Sequence, residues 1–377
     1  GVVRLYKNNT DFEGHSYGCH ENFLLSREIP FQQVIDGLLP FVVTRQIFAG
    51  AGKVGVEQDS RASAATYQLA QRADFFEVIA SVDTMHRRPL VNTRDEPHAD
   101  ADRYRRLHLI IGDANMCEYA TALKVGSAAL AIDLLEAGEL PTCELADPIG
   151  ALKEISRDES RHWTVVLAAG RTSSALEIQT DIMMAAQRLF KGRDKETDWI
   201  LDEWRGTLEA LARDPQELIG RLDWVTKKWL LDAFAESEGL DWEKPADRTW
   251  LQSQDLEYHN IDPAEGLYSM LEQQGQVERL VTEEDVLRAM VDPPRDTRAY
   301  FRGKTLQKFS NEVRSLNWDS IEFSVGGGSR VVDLKGCVDE QTAAYYNEAL
   351  DAATSVEDLL QRLAVASGQP PETGGAQ

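Results

Sequence analysis

Over roughly the first 115 residues apolar and polar positions alternate in short runs. "VVRLY" (2–6), "HENFLLS" (20–26), "ATYQLAQ" (65–71), "FFEVIAS" (75–81) and "YRRLHLIIG" (104–112) each predict a β-strand, because every second side chain faces the same side of a sheet. One stretch breaks this period. From about Phe31 to Phe48, Val34, Ile35, Leu38, Leu39, Val42 and Val43 recur at three- and four-residue steps and predict an amphipathic helix. From about Ala120 to Leu280 the helical period takes over. "ATALKVGSAALAIDLLEAG" predicts a long helix stopped by Gly138, and "VVLAAGRTS" predicts a hairpin. "DPQELIGRLDWVTKKWLLDAFAESEG" predicts one helix with Asp214 as its cap, Pro215 at its first position and Gly239 as its stop. Leu218, Leu222, Val225, Trp229 and Ala233 form its core stripe. Pro293 and Pro294 then break the pattern. A small unit follows: a helix to about Val313, strands "DSIEFSV" and "RVVDL" joined through "GGGS", and a helix from about Glu340 to Val365. The closing "SGQPPETGGAQ" has the composition of a disordered tail.

Composition narrows the function classes. With 377 residues and 42% hydrophobic content, the chain can bury one large core or two smaller ones. Its net charge of −23 argues against nucleic acid as the main partner, since phosphate binding needs surplus Lys and Arg over a broad surface. The four cysteines (Cys19, Cys117, Cys143, Cys337) lack CxxC spacing and read as reduced thiols of a cytoplasmic protein. No run of about 18 apolar residues and no leader is visible, so the expectation is a soluble protein without a membrane partner. The opening "GVVRLYKNNT" looks like a strand already inside a fold, which suggests a fragment.

Three stretches could carry chemistry. "VNTRDEPHAD" (91–100) crowds Arg94, His98 and several carboxylates around Pro97, which pushes Glu96 out of the helical region and predicts an extended segment. Such a segment can aim Arg94 and His98 at one point, the guanidinium as a fork for phosphate or carboxylate and the neutral imidazole as a cation ligand. It reads equally well as a charge-laced loop in which Arg94 pairs with Asp95 or Asp100. The following "DADRYRRLH" adds Arg103, Arg105, Arg106 and His108. In "GHSYGCHENFLLS", strand geometry puts His20 and Asn22 on one face and Glu21 on the other, so only one of His20 and Glu21 can face a metal without a bulge; His20 is the candidate. In "NWDSIEF", Trp318 precedes a strand and could stack on a nucleobase or simply pack. P-loop, GxGxxG, GxSxG and HExxH patterns are absent, and "GAGKVG" (50–55) reads as a turn.

"LYKNNTDFEGHSYGCHENFLLSR", "NTRDEPHADADRYRRLHLIIGDAN", "DPPRDTRAYFRG" and "NWDSIEF" together resemble the Pup ligase and depupylase family (PafA and Dop), which attaches and removes the ubiquitin-like protein Pup. The resemblance implies an α+β, glutamine synthetase-like fold. A curved antiparallel sheet, partial here, would be backed by helices in a catalytic domain over 1–303, with a small α/β domain over 304–365 and a tail over 366–377. It implies ATP or ADP and Mg²⁺ as cofactors, Arg94 and Trp318 at the nucleotide, and His20 and His98 at the metal. Pup and pupylated proteins would be the partners, with a link to the proteasome pathway. Family members carry the catalytic Asp and further metal ligands upstream of the point where this sequence starts, so the expectation is a truncated sequence, inactive alone, or a partner chain supplying those strands. "GCHEN", "GAGKV" and "ALKVGSAAL" lean towards the ligase; "FLLSR", "DADRYRRLHLIIGDAN", "ISRD", "RLVTEEDVL" and "DTRAYFRG" are longer together and lean towards the depupylase. The expected activity is nucleotide-dependent hydrolysis of the isopeptide bond between Pup and a substrate lysine. The ATP-driven ligase that forms this bond is the alternative, and a non-catalytic Pup-binding scaffold the alternative from another class. An acidic modifier would need a local basic groove, for which Arg103, Arg105, Arg106, Lys227 and Lys228 are candidates.

Overall fold

The computed structural model describes residues 3–57, 65–82 and 87–367. The chain divides into two compact units: unit 1 is Gly1–Asp95 with Arg106–Leu280, and unit 2 is Glu96–Arg105 with Val281–Gln377. Of the tail expected over 366–377, residues 366–367 still belong to the helix Val356–Ser367, and the rest lies outside the described residues.

Unit 1 contains β1 (Glu21–Ser26), β2 (Lys53–Val54), β3 (Tyr67–Gln68), β4 (Phe76–Ser81), β5 (Arg88–Asn92) and β6 (Tyr104–Leu109, entering from unit 2), followed by the hairpin β7 (Thr164–Val166) and β8 (Thr172–Ser174). The main sheet has the order β1-β6-β5-β4, while β2 and β3 pair separately. It is mixed rather than antiparallel, because β4 and β5 run parallel. β5 was not evident in the sequence pattern, since Pro89, Leu90 and Val91 are all buried and show no alternation. The expected strand 2–6 is also different. Residue 2 is not described, and Tyr6 makes only an isolated bridge to Asn260, with its hydroxyl donating to Glu257.

The apolar stripe of residues 31–48 folds as two helices, Phe31–Thr44 and Gln46–Ala49, and buries Val34, Ile35, Leu38, Val42, Val43, Ile47 and Phe48. The helix Glu118–Glu136 ends before Gly138, whose φ of +71° favours a residue without a Cβ. Segment 214–239 is not a single helix. Asp214 caps a short 3-10 turn, Pro215–Leu218, and the chain then turns at Gly220 (φ +83°), where the Gly220 N–H donates to Thr226 Oγ1 before the helix Asp223–Glu238 begins. Of the expected stripe, Leu218, Leu222 and Val225 are buried, Trp229 is half-buried and Ala233 is exposed; Trp224, Leu231 and Ala235 complete the core face.

In unit 2 the helix Arg298–Lys308 ends before the expected Val313, which instead opens β9 (Val313–Leu316). β9 pairs antiparallel with β10 (Ser320–Val325), which pairs with β11 (Gly328–Asp333) through a tight turn at Gly326 and Gly327, both at positive φ. The final helix is split into Glu340–Ala352 and Val356–Ser367, because the Thr354 N–H turns to the Asp358 carboxylate. Phe301, Phe323, Leu334, Leu350 and Leu359 close this core. The chain is thus a mixed α/β protein with small antiparallel sheets beside one mixed sheet. Among the described residues no helix is long and apolar enough to cross a membrane.

Candidate functional site

Strand alternation places the first group. In β1, Glu21 and Leu25 are buried, so His20, Asn22 and Leu24 belong to the opposite face. In β6 the same rule sends Leu107 and Leu109 into the core and sets Arg106 and His108 apart from them. Because β1 and β6 are neighbours, His20 meets His108: Nδ1 of His20 lies 2.9 Å from Nε2 of His108, with ring centroids 4.9 Å apart. Burial, then the charges of Arg106, His20 and Arg94, pushes the His108 pKa down to about 4. Burial, Arg72 and Arg106 lower that of His20. Both rings are therefore neutral near pH 7, and one of the two facing nitrogens carries the shared proton. Among the described residues His108 Nδ1 has no hydrogen-bond partner.

Glu21 shows why only His20 of that adjacent pair serves the outer face. Its carboxylate is held inside by Arg45 at 2.6 and 2.9 Å, with the two side chains 6% and 2% exposed. The backbone at Gly112 passes so close that a Cβ there would collide with Glu21 Oε1. Arg72 adds positive charge near His20, but its guanidinium is occupied by the carbonyls of Ile110 and Gly112 and the hydroxyl of Ser16.

Arg94 is exposed, and its carbonyl accepts two bonds, 3.0 and 3.3 Å, from the Arg106 guanidinium. Asp95 pairs with Arg27 at 2.8 Å. His98 belongs to unit 2 and does not continue an extended strand: its φ is +50°, and its carbonyl accepts from Arg298. Its ring stands 6.4 Å from that of Trp318, and its Nδ1 lies 3.9 Å from Asp319 Oδ2. Trp318 is 63% exposed, and the Arg302 guanidinium lies 4.9 Å from its ring centroid. The structure thus joins His20 to His108 in unit 1 and His98 to Trp318 in unit 2. The His20–His108 pairing was not legible, since the residues are 88 apart in sequence and only the strand order brings them together.

Two expected groove cations are elsewhere. Lys227 is fully buried and donates to Asp255 Oδ1 at 2.5 Å, Gly52 O at 2.8 Å and His259 Nε2 at 2.8 Å, so it cannot line a groove. Lys228 pairs with Asp232 and lies 4.4 Å from the Trp242 ring centroid. "GAGKVG" is a turn, with Gly52 and Gly55 at positive φ and Lys53 buried against Glu57 and Asp74. Among the described residues no three His, Cys, Asp or Glu side chains converge on a point that would hold a metal.

Comparison with known proteins gives a consistent set of relatives. A family model described as Pup-ligase protein matches residues 1–322. The depupylase of Acidothermus cellulolyticus is 43% identical over 371 residues, covering 96% of this chain and 72% of that protein. The Pup–protein ligase of Nakamurella multipartita is 44% identical over 340 residues, covering 89% and 74%. Among solved structures, the Pup ligase PafA in complex with ADP superposes with a TM-score of 0.80 at 35% identity, covering 94% of this chain and 78% of PafA. PafA in complex with Pup gives 0.79 at 34% identity, covering 99% and 78%.

Proposed function

Because the chain belongs to the Pup-ligase family, we propose that it acts as a depupylase, hydrolysing the isopeptide bond between the C-terminal side chain of Pup and a substrate lysine. One observation carries this choice: the depupylase of A. cellulolyticus aligns across 96% of the chain, whereas the ligase of N. multipartita, at nearly equal identity, aligns across 89%. The second reading is the ligase, favoured by the likeness to PafA, and both readings place Pup and pupylated proteins among the partners. A glutamine synthetase-like ancestry of the fold and a place in the proteasome pathway belong to the same proposal.

A nucleotide fits the residues of unit 2. Trp318 offers an open aromatic face beside a guanidinium, the arrangement on which a base stacks. In this reading Trp318 binds the base; for unit 1 taken by itself, the exposed Arg94 is proposed as a phosphate contact. For a divalent cation the described residues offer the neutral imidazole of His20, held by His108, at one place, and His98 beside Asp319 at another. They do not complete a site among themselves. His20 would give the nitrogen not engaged by His108, its lowered pKa keeping the lone pair available, and His108 would orient that ring; a bound cation would supply charge neutralisation for phosphate and for the carbonyl under attack. Arg106, whose guanidinium is anchored on the Arg94 carbonyl, keeps the neighbourhood positive and favours anionic groups there.

The deciding experiment uses the protein from its full reading frame, nucleotide, and Pup linked to a reporter lysine through the isopeptide bond. Reporter release supports the depupylase. Nucleotide-driven joining of free Pup to a lysine target makes it the ligase, and Pup binding without either reaction leaves a scaffold.

A further inference from the structure

Arg45, Lys53 and Lys227 are buried cations of unit 1, and each rests on a carboxylate: Glu21, Asp74 and Asp255. Arg72 breaks that rule. It is 2% exposed, and burial pulls its pKa down only to about 10, so the guanidinium is charged at pH 7. Its Nε donates to Ser16 Oγ at 3.1 Å, and its Nη1 to the carbonyls of Ile110 and, at 3.2 Å, Gly112. All three are neutral oxygens, and among the described residues no carboxylate pairs with it. The carboxylate whose charge it feels, Asp113, spends Oδ2 on the N–H groups of Ala51 and Gln71, and burial raises its pKa. Lys124 is a second buried cation without a carboxylate among the described residues, but its protons go to Asp113 O, Asn115 Oδ1 and Cys19 Sγ.

A guanidinium carries five N–H groups in a rigid fork. Those of Nε and Nη1 are spent on Ser16, Ile110 and Gly112. Those of Nη2 have no acceptor among the described residues, and Nη2 is not sealed from solvent as the unpartnered atoms of the core are. A buried charge left unpaired and partly unbonded is costly until a ligand completes it. The chain fixes where this open end lies: Ser16 comes four residues before His20, Ile110 two after His108, and the Arg72 charge reaches the His20 ring. We propose that Arg72 is an anion-binding residue near His20, its Nη2 donating to one anionic oxygen of a phosphate or a carboxylate. With Nε and Nη1 engaged, the paired grip on both oxygens of a carboxylate is closed to it, so the contact is to a single oxygen. The choice of ligands below rests on the Pup-enzyme reading; the unpaired charge does not.

Calorimetry on the protein from its full reading frame compares wild type with Arg72→Gln for three ligands: ADP, adenosine and the C-terminal peptide of Pup. Loss of one charge-assisted hydrogen bond should weaken the affected ligand by about 10- to 100-fold. A loss for ADP with adenosine unchanged assigns the oxygen to a phosphate, and a loss for the peptide with adenosine unchanged assigns it to a carboxylate. Equal affinities of the two proteins for all three ligands overturn the proposal. So does a uniform loss that includes adenosine, because it reports a displaced fold rather than a missing anion contact. If Arg72→Gln does not fold, crystals of wild type with inorganic phosphate and with the peptide decide: an anionic oxygen within hydrogen-bond distance of Nη2 is expected, and water alone there in both overturns it. A wild type that binds neither ADP nor the peptide sinks the Pup-enzyme reading instead, and the phosphate crystal still tests Arg72.

Discussion

His20 stands at the head of a strand whose next residue, Glu21, is clamped by Arg45 inside unit 1, while His98 sits in a left-handed turn of unit 2 beside an exposed tryptophan and a stacked guanidinium. The residue after His20 is held in a buried ion pair, Glu21 with Arg45, and unit 1 contains two more, Lys53 with Asp74 and Lys227 with Asp255. Each buried charge there depends on its partner, and the Glu21–Arg45 clamp fixes the strand that carries His20. The surroundings of His98 are open, and their contacts rely on an aromatic face that solvent reaches. The difference teaches where rigidity is invested. Unit 1 invests in desolvated charge, and unit 2 presents an exposed aromatic face.

Substitutions in the two regions should therefore differ in kind. The largest effect is expected for Arg45→Met, which strands the Glu21 carboxylate in the core and should cost about 3–5 kcal/mol of unfolding free energy, read by urea denaturation. A change below about 1 kcal/mol would mean that the first region is not built on buried charge. Next comes His108→Ala, which removes one of two paired nitrogens and should raise the cation concentration for half-maximal activity by about 100-fold while leaving the urea midpoint nearly unchanged. Trp318→Ala should weaken nucleotide binding by about 10-fold, as loss of one stacked aromatic does, measured by calorimetry. Unchanged affinity would remove unit 2 from the nucleotide reading. The smallest effect is expected for Arg302→Met, less than about 1 kcal/mol on stability, because its contact with Trp318 is exposed.

Acidity gives an independent check on unit 1. Burial, then the Lys227 charge, holds the His259 pKa well below its ordinary 6.5. The unfolded chain takes up that proton near 6.5 and the folded chain does not, so stability should be full above this pH and decline as pH falls below it. His259→Gln should flatten that decline in urea midpoints recorded between pH 7 and 5, and a slope identical to wild type would show that His259 is not responsible.

Periodicity located the helix stripe of residues 31–48, the hairpin at 164–174 and the strands around Leu25 and Phe76, because each has one buried and one open face. It failed where that contrast vanishes. β5 is buried along most of its length, and the break at Gly220 depends on a hydrogen bond to Thr226 that no local pattern announces. Alternation correctly separated His20 from Glu21, yet the partners of both, His108 and Arg45, are properties of strand order and helix packing. Lys227 and Lys228 show the opposite failure. Adjacent lysines look like surface charge, but the helix turns one into the core and lays the other on Trp242. The resemblance to Pup enzymes rested on long strings of residues rather than on elements, so it held where the element boundaries did not.

The excursion of residues 96–105 into unit 2 has an evolutionary consequence. A unit that begins and ends once can be exchanged between genes by a single crossover at its boundary. Unit 2 is threaded by the chain twice, so a recombinant that inherits only Val281 onwards receives Trp318 but takes His98 from another parent. Such a chimera would succeed only when both parents share the same turn around His98. The two segments are thus bound to be inherited together, and variation in one should be answered by variation in the other.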